Sequence, residues 1–267
     1  MSLDALAFGA HADDVEICCG GTLIKLGALG YRTGAVALTR GEMGTRGSAE
    51  TRAREFDAAA AIMGLAAHAM LDIPDARVEV TWENKLKVIA VIRAYRPRIV
   101  FAPYWIERHP DHEQASRLVR ESAYLAGLRK IDTGQEAYRP DQVVFFQGRY
   151  EFAPSFIVDT TAAHARKMDA IRAYRSQVHR PDAGGPSPAK PPARGAEAGG
   201  AGISAPSSPA EPETLISRPE FLEAIEIRDR RWGSLIGAGY GEPFFVRDPL
   251  RVDDPVAFLA PKERTNG

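Results

Sequence analysis

Histidine and aspartate cluster in two short segments of this 267-residue sequence. The first segment, residues 11–16, reads HADDVE and follows an apolar run. Imidazole nitrogens and carboxylate oxygens bind divalent metals, so His11 and Asp14 are candidate ligands, and Asp13 between them is free to act on a substrate. The alternative is a helix N-terminus, where acidic side chains cap free N–H groups and are stabilised by the helix dipole. That alternative accounts for the carboxylates singly but not for His11.

The second cluster, residues 104–113, reads YWIERHPDHE and contributes His109 and His112. Three of the six histidines therefore lie in these two segments. A proline turn followed by an aspartate N-cap, with solvated histidines, is the alternative interpretation. However, both clusters follow apolar runs, and in a doubly wound sheet of order 3-2-1-4-5 the first and fourth strands are neighbours at the switch point. Two independent clusters meeting there favour a metal site.

A third segment, residues 39–48, is glycine-rich and carries Glu42 and Arg46. It has no Gly-Lys-Ser/Thr, so it is not a phosphate-binding P-loop, and the first strand carries no Gly-x-Gly-x-x-Gly fingerprint. Taken alone it is an ordinary polar loop. Beside a metal site it becomes a candidate recognition loop for a polar, anionic substrate.

The two cysteines, Cys18 and Cys19, are adjacent and give no disulfide framework. They follow the first cluster by one helical turn, so we expect them to behave as small buried hydrophobes and not as metal ligands. The remaining histidines, His68, His164 and His179, have no evident partner and are expected to be structural or solvated.

Apolar runs alternate with helical periodicity through the first 175 residues, which predicts an α/β fold with a mostly parallel sheet and helices on both faces. The predicted strands are 5–9, 33–39, 67–71, 98–103, 142–148 and 156–159. The predicted helices are 16–29, 50–63 and 81–95, and another begins near Pro219.

Composition excludes several classes of protein. Hydrophobic residues make up 45% and charged residues 26%, with a formal net charge of −1, so nothing indicates a nucleic-acid or anionic-membrane partner. A transmembrane run of about 18 apolar residues is absent, and the start of the sequence has no signal-peptide pattern, so we expect a cytoplasmic protein. We expect a single domain in which residues 181–212, where 26 of 32 are Pro, Gly, Ala or Ser, form a flexible insertion.

These motifs resemble the LmbE/PIG-L family of zinc-dependent sugar N-deacetylases. The family pattern is a His-Pro/Ala-Asp-Asp turn after the first strand and a later His-x-x-His, here HADD at 11–14 and HPDH at 109–112. Residues 7–16, 40–47 and 125–130 are similar to the members that act on N-acetylglucosaminyl-malate in bacillithiol biosynthesis. The resemblance spans nearly the whole chain apart from residues 181–212.

The resemblance implies a role for each matching residue. Zn²⁺ is the expected cofactor, with another divalent metal such as Fe²⁺ as the alternative, and the active site lies at the carboxyl ends of strands 1 and 4. A homo-oligomer, a hexamer in the family, is also implied. The implied zinc ligands are His11, Asp14 and His112. The implied catalytic residues are Asp13 as general base, a protonated His109 as oxyanion stabiliser, and Asp111 as the group that orients His109. The candidate substrate-binding residues are Glu42, Arg46, Arg52 and Arg139.

Three functions remain open at this point. The first is deacetylation of N-acetylglucosaminyl-malate, and the second is the same hydrolysis on another N-acetylated sugar or glycoconjugate. The third is a non-catalytic metal- or sugar-binding protein, which would have no need of a free carboxylate at Asp13. The malate group of the first substrate requires an arginine partner, and we expect Arg46 to provide it because Gly44 and Gly47 let that loop approach the substrate.

Overall fold

The structure, a computed structural model, describes residues 2–179 and 212–259. The segment predicted as a flexible insertion, 181–212, lies outside the described residues except for Pro212. Within the described part of the chain, the helices are all too short or too polar to cross a membrane.

Strands and α-helices alternate from residue 5 to residue 146, as the hydrophobic pattern predicts. The strands are β1 (Ala5–Gly9), β2 (Thr33–Ala37), β3 (Ala67–Met70), β4 (Ile99–Pro103), β5 (Gln142–Phe146), β6 (Phe156–Asp159) and β7 (Gly241–Val246). The helices are α1 (Asp14–Ala28), α2 (Ala49–Met63), α3 (Trp82–Tyr95), α4 (Pro110–Leu125), α5 (His164–Arg172), α6 (Pro219–Ser234) and α7 (Pro255–Leu259).

Capping residues explain where the predicted helices begin and end. Ser48 caps α2 by accepting a hydrogen bond from the Thr51 N–H at 3.2 Å, and Thr81 caps α3 in the same way. Gly64 closes α2 with φ = 71°, in the left-handed region that favours glycine. Each predicted helix therefore starts and stops within two residues of its predicted bounds.

The sheet has the order β3-β2-β1-β4-β5-β7-β6. The first five strands in that order are parallel, and β1 pairs with β2 on one side and with β4 on the other. This confirms the predicted α/β fold and its switch point between β1 and β4. The loops that follow β1 and β4 therefore open at the same edge of the sheet, as in other doubly wound folds.

β7 is the strand that the sequence pattern does not predict. It pairs antiparallel with both β5 and β6, and so separates β6 from the rest of the sheet. The run contains Glu242 and Pro243, residue types that are uncommon in a central strand.

Helices cover both faces of the sheet. On one face α1, α2 and α5 bury Leu23, Phe56 and Ala170 against β-strand side chains, and on the other α3 and α4 bury Ile89 and Leu118. Because α1 and α4 are each packed along their length, their first turns are fixed in position next to the switch point.

A buried charged cluster joins the C-terminal elements to α1. Lys167 of α5 contacts Asp229 of α6 at 2.6 Å and Glu242 of β7 at 2.7 Å, with all three side chains fully buried. Glu242 also accepts hydrogen bonds from the backbone N–H groups of Gly21 and Thr22, just after α1 departs from helical geometry at Cys19. Burial lowers the pKa of Lys167, but the two carboxylates raise it above its ordinary value, so the cluster stays charged.

Candidate active site

The two histidine-containing segments meet at the switch point, as predicted. His11, Asp14 and His112 each offer one ligand atom, and these atoms all lie within 4.8 Å of one another. The His112 Nε2 lies 3.2 Å from Asp14 Oδ1, and the His11 Nδ1 lies 3.7 Å from Asp14 Oδ2. Two imidazoles and one carboxylate form a set that holds a divalent metal in proteins and leaves positions for water and substrate. The residues present therefore fit a metal.

The electrostatics of this set also suit a cation. Burial raises the pKa of Asp14, but the charges and hydrogen bonds of His112 and His11 hold it well below its ordinary value. Burial lowers the pKa of His11, yet hydrogen bonds to Asp111 and Asp75 and the charge of Asp14 raise it to about 10. The carboxylates around His11 therefore create a negative field that attracts a positive ion.

A second set, His11, His109 and Asp111, also has ligand atoms within 4.8 Å of one another. However, Asp111 already accepts hydrogen bonds from the backbone N–H groups of Ala76 at 2.8 Å and Val78 at 3.2 Å. His109 Nδ1 accepts the Asp111 N–H at 3.2 Å. Among the described residues, the Asp14 carboxylate accepts a single backbone N–H, from His11 at 2.9 Å, whereas Asp111 accepts two, so the first set is the better metal site.

Asp13 differs from its neighbours in both backbone and side chain. It precedes α1 with φ = 114°, a left-handed conformation that costs free energy in a residue with a Cβ, and its side chain makes no capping hydrogen bond. The carboxylate is buried, lines the cavity and is hydrogen-bonded to none of the described residues. Burial and the charge of Asp14 raise its pKa to about 7, although Arg52 lowers it. Asp13 is thus a carboxylate with affinity for a proton, facing the cavity.

His109 caps α4, and this fixes its tautomer. Since Nδ1 accepts the Asp111 N–H, the neutral imidazole carries its proton on Nε2. Burial lowers the pKa of His109, and the positive charges of His11 and His112 lower it further. Nε2–H is therefore the donor of the neutral His109 imidazole, and the role of a protonated His109 as oxyanion stabiliser stays a prediction.

We expected Asp111 to orient His109, and in the structure the contact with His109 is made by the Asp111 backbone N–H and not by its carboxylate. Its Oδ2 lies 3.3 Å from the His11 Nε2, and only its backbone N–H reaches His109. Asp75, which the sequence did not identify, lies on the other side of the same nitrogen, with Oδ1 at 3.0 Å. Burial raises the pKa of Asp75, but the hydrogen bond from His11 holds it at about 2, so this carboxylate is ionised.

A cavity of about 500 Å³ opens over these residues. Its lining includes the apolar side chains of Ile17, Phe221 and Ile225. Two exposed arginines, Arg108 and Arg149, lie at its rim. Its size is in the range of small-ligand pockets.

Of the four predicted substrate-binding residues, Arg52 lines the cavity. Its guanidinium group is buried and donates from Nη2 to Gln177 Oε1 at 2.6 Å. The charge of Arg52 acts on Asp13, so this arginine is part of the site's electrostatics as well as its wall.

The other three are absent from the residues that line this cavity, and their substrate-binding roles stay predictions. Arg46 donates to the backbone carbonyls of Ser176 at 2.8 Å and Pro212 at 3.4 Å and is absent from the described cavity lining. Glu42 accepts the backbone N–H of Asp75 at 2.8 Å. Arg139 stacks over Tyr124, 4.2 Å from the ring centroid, beside a different cavity.

Arg108 and Arg149 line the cavity, which Arg46 does not. Their backbone N–H groups both donate to the buried carboxylate of Glu107, at 2.6 Å for Arg108. A Cβ at Gly148 would collide with that carboxylate, so glycine is required for the close approach. Within the described residues, neither guanidinium group has a hydrogen bond or ion pair. The sequence feature that could have identified Arg149 as a cavity residue is its position shortly after the carboxyl end of β5.

The remaining cysteines and histidines have structural surroundings. Burial raises the pKa of the Cys18 thiol to about 12, so it is not a ready thiolate ligand, and Cys19 is also buried. His68 does have a partner, Asp57 at 2.8 Å, and His164 lies 3.6 Å from Asp229. The expectation that these two histidines lack partners is therefore wrong.

Known proteins are similar to this chain in sequence and in fold. The profile of the PIG-L family, described as GlcNAc-PI de-N-acetylase, matches residues 6–123, which contain both histidine segments. A diacetylchitobiose deacetylase of Thermococcus kodakarensis is 32% identical over 187 residues, which cover 64% of this chain and 69% of that protein. A 1D-myo-inositol 2-acetamido-2-deoxy-alpha-D-glucopyranoside deacetylase 2 of Catenulispora acidiphila is 30% identical over 169 residues, covering 50% and 56%. The crystal structure of a conserved protein from Thermus thermophilus superposes with a TM-score of 0.77 at 36% identity, covering 94% of this chain and 97% of that one.

Proposed function

The chain belongs to the PIG-L family of de-N-acetylases and is a hydrolytic N-deacetylase, and we propose that it removes the acetyl group from an N-acetylglucosaminide. The observation that carries this proposal is Asp13, a carboxylate that faces the cavity beside the metal-ligand set. The pKa of Asp13 is raised to about 7. A metal-binding protein without catalysis has no use for such a group. The substrates named for the two relatives, both N-acetylated amino sugars, support the same class of substrate.

His11, Asp14 and His112 would hold the metal, and we propose Zn²⁺, with Fe²⁺ as the alternative. When bound at such a site, a divalent metal acts as a Lewis acid that acidifies water and polarises a carbonyl. Metal analysis of protein purified without added metal, followed by activity after reloading with each ion, distinguishes the two.

The protein's own residues then perform the proton transfers. Asp13 accepts a proton from the attacking water, whose oxygen bonds to the acetyl carbon. The C–N bond breaks as Asp13 passes that proton to the leaving nitrogen, so the products are acetate and a free amine. His109 donates its Nε2–H to the developing oxyanion, a contribution of the type worth on the order of 10²–10³ in rate.

We propose N-acetylglucosaminyl-malate, a substrate of bacillithiol biosynthesis, as the specific substrate. Malate has two carboxylates, which are costly to bury without cationic partners. Arg108 and Arg149 support this choice, because they lie at the cavity rim with no partner among the described residues. A neutral N-acetylated sugar, such as the diacetylchitobiose of the Thermococcus relative's name, is the alternative.

Acetate release from a panel of substrates tests this proposal. The panel pairs N-acetylglucosaminyl-malate with N-acetylglucosamine, its neutral methyl glycoside and diacetylchitobiose, each with metal-loaded protein. We expect the malate conjugate to have the highest kcat/KM. A preference for a neutral substrate would replace malate in the proposal, and no acetate from any of them would contradict the substrate class. We also propose a homo-oligomer, which light scattering of the purified chain tests.

A further inference from the structure

We propose that Asp75 is a positioning residue that orients His11 as a metal ligand, by accepting a hydrogen bond from Nε2–H so that Nδ1 faces Asp14 and His112. Asp111 assists from the other side of the same nitrogen. This inference rests on the proposed metal site but not on the identity of the substrate.

The two nitrogens of His11 face different groups. Nε2 lies 3.0 Å from Asp75 Oδ1 and 3.3 Å from Asp111 Oδ2, whereas Nδ1 lies 3.7 Å from Asp14 Oδ2. A neutral imidazole has one N–H and one lone pair. Because two carboxylates accept at Nε2, the proton belongs there and the lone pair is on Nδ1, towards the other ligands.

The Asp75 carboxylate is itself rigidly held. Oδ2 accepts the Met43 N–H at 3.0 Å and Oδ1 accepts the Ala76 N–H at 2.8 Å, while the Asp75 N–H donates to Glu42. Ala76 has φ = 61°, an uncommon conformation for alanine that the surrounding hydrogen bonds maintain. Met43, Asp75 and Ala76 come from two different loops, so Asp75 fixes those loops and the ring of His11 together.

The Asp75 carboxylate contacts the His11 ring directly, and the Glu42 carboxylate does not. Glu42 supports the same turn, yet no contact joins it to His11 within the described structure. Replacing Glu42 therefore loosens the turn but leaves the carboxylate next to Nε2. This makes Glu42→Ala a matched control that separates support of the loop from orientation of the ligand.

The test measures Zn²⁺ affinity of the full chain by competition with a chelator, for wild type, Asp75→Ala, Asp75→Asn and Glu42→Ala. Loss of a group of this kind weakens metal binding by about 10–100-fold, and we expect that for Asp75→Ala. Asp75→Asn, which keeps one acceptor oxygen, should recover part of the affinity, and Glu42→Ala should remain within about threefold of wild type. Should Asp75→Ala fail to fold, the Asn variant and the spectrum below still decide the question.

The ¹⁵N NMR spectrum of the Zn²⁺-loaded wild type provides a direct signature. We expect His11 to show a protonated Nε2 and a metal-bound Nδ1. An unchanged Zn²⁺ affinity in Asp75→Ala, an equal loss in Glu42→Ala, or a metal-bound Nε2 would each overturn the proposal. Neither readout depends on turnover, so a protein that binds Zn²⁺ as described but releases no acetate contradicts the proposed function alone.

Discussion

Asp14 and His112 are 98 positions apart in the sequence, and Asp14 Oδ1 lies 3.2 Å from His112 Nε2. Each is in the first turn of a helix, α1 or α4, that follows one of two adjacent parallel strands. The contact exists because β1 and β4 are neighbours, although three helices and two strands separate them along the chain. Fold topology therefore assembles the proposed ligand set.

Replacing His112 by alanine should remove the metal. Two of three protein ligands remain, which is too few to retain the ion through purification. Metal content per chain, measured by plasma mass spectrometry after dialysis, checks this. His68→Ala, which alters a surface pair with Asp57, is the control and should keep full occupancy. Full occupancy in His112→Ala would remove this residue from the set.

Arg108→Ala and Arg149→Ala should each weaken recognition of an anionic aglycone. A charge-assisted hydrogen bond at the cavity rim contributes about 1.5 kcal/mol, which corresponds to about tenfold in kcat/KM. We expect that loss with N-acetylglucosaminyl-malate and little change with N-acetylglucosamine. Arg139→Ala, beside a different cavity, is the control and should affect neither. Equal losses on both substrates would show that the two rim arginines do not select the aglycone.

Lys167→Met should strongly destabilise the protein. The substitution leaves Asp229 and Glu242 buried without their cation, which typically costs about 3–5 kcal/mol. Urea denaturation gives the free energy of unfolding. Lys87→Met, which removes an exposed ion pair with Asp72, should cost less than about 1 kcal/mol. Similar losses in the two variants would mean that the buried cluster contributes no more than a surface pair.

The charge on Asp229 predicts a loss of stability in acid. Burial raises its pKa, but Lys167 and Arg228 hold it well below the ordinary value of 3.8. A carboxyl with a depressed pKa in the folded state contributes stability that is complete above the unfolded pKa and is lost as the pH falls towards the folded one. The difference in unfolding free energy between wild type and Asp229→Asn should therefore be constant from about pH 5 to 7 and shrink below about pH 4. A difference that stays constant down to about pH 2.5 would contradict this assignment.

Sequence and structure agree where the signal is local. Glycine and proline punctuation and hydrophobic periodicity predict β1 to β6, the helices α1, α2 and α3 and the start of α6, and the two histidine motifs identify the ligand candidates. Contacts between side chains that are far apart in the sequence could not be predicted in this way. Nothing near Arg46 in the sequence indicates that Ser176 holds it, and Asp75 lies in a loop with no motif, so its contact with His11 emerges only from the fold.

The strand β7 shows a second limit. Glu242 is unfavourable in a strand by propensity, but in this fold it pairs with Lys167 and accepts two backbone N–H groups of α1. Tertiary contacts about 75 and 220 residues away therefore override the local preference. No window of neighbouring residues contains that information.

Acetate release by metal-loaded wild type and Asp13→Asn, with bound metal measured in the same samples, tests the central claim most directly. The asparagine variant cannot accept the proton of the attacking water, while the three ligands are unchanged. We predict equal metal content and a loss of about 10²–10⁴-fold in kcat with N-acetylglucosaminides. Near wild-type turnover by Asp13→Asn at full metal occupancy would contradict the account, because the general base would then lie elsewhere.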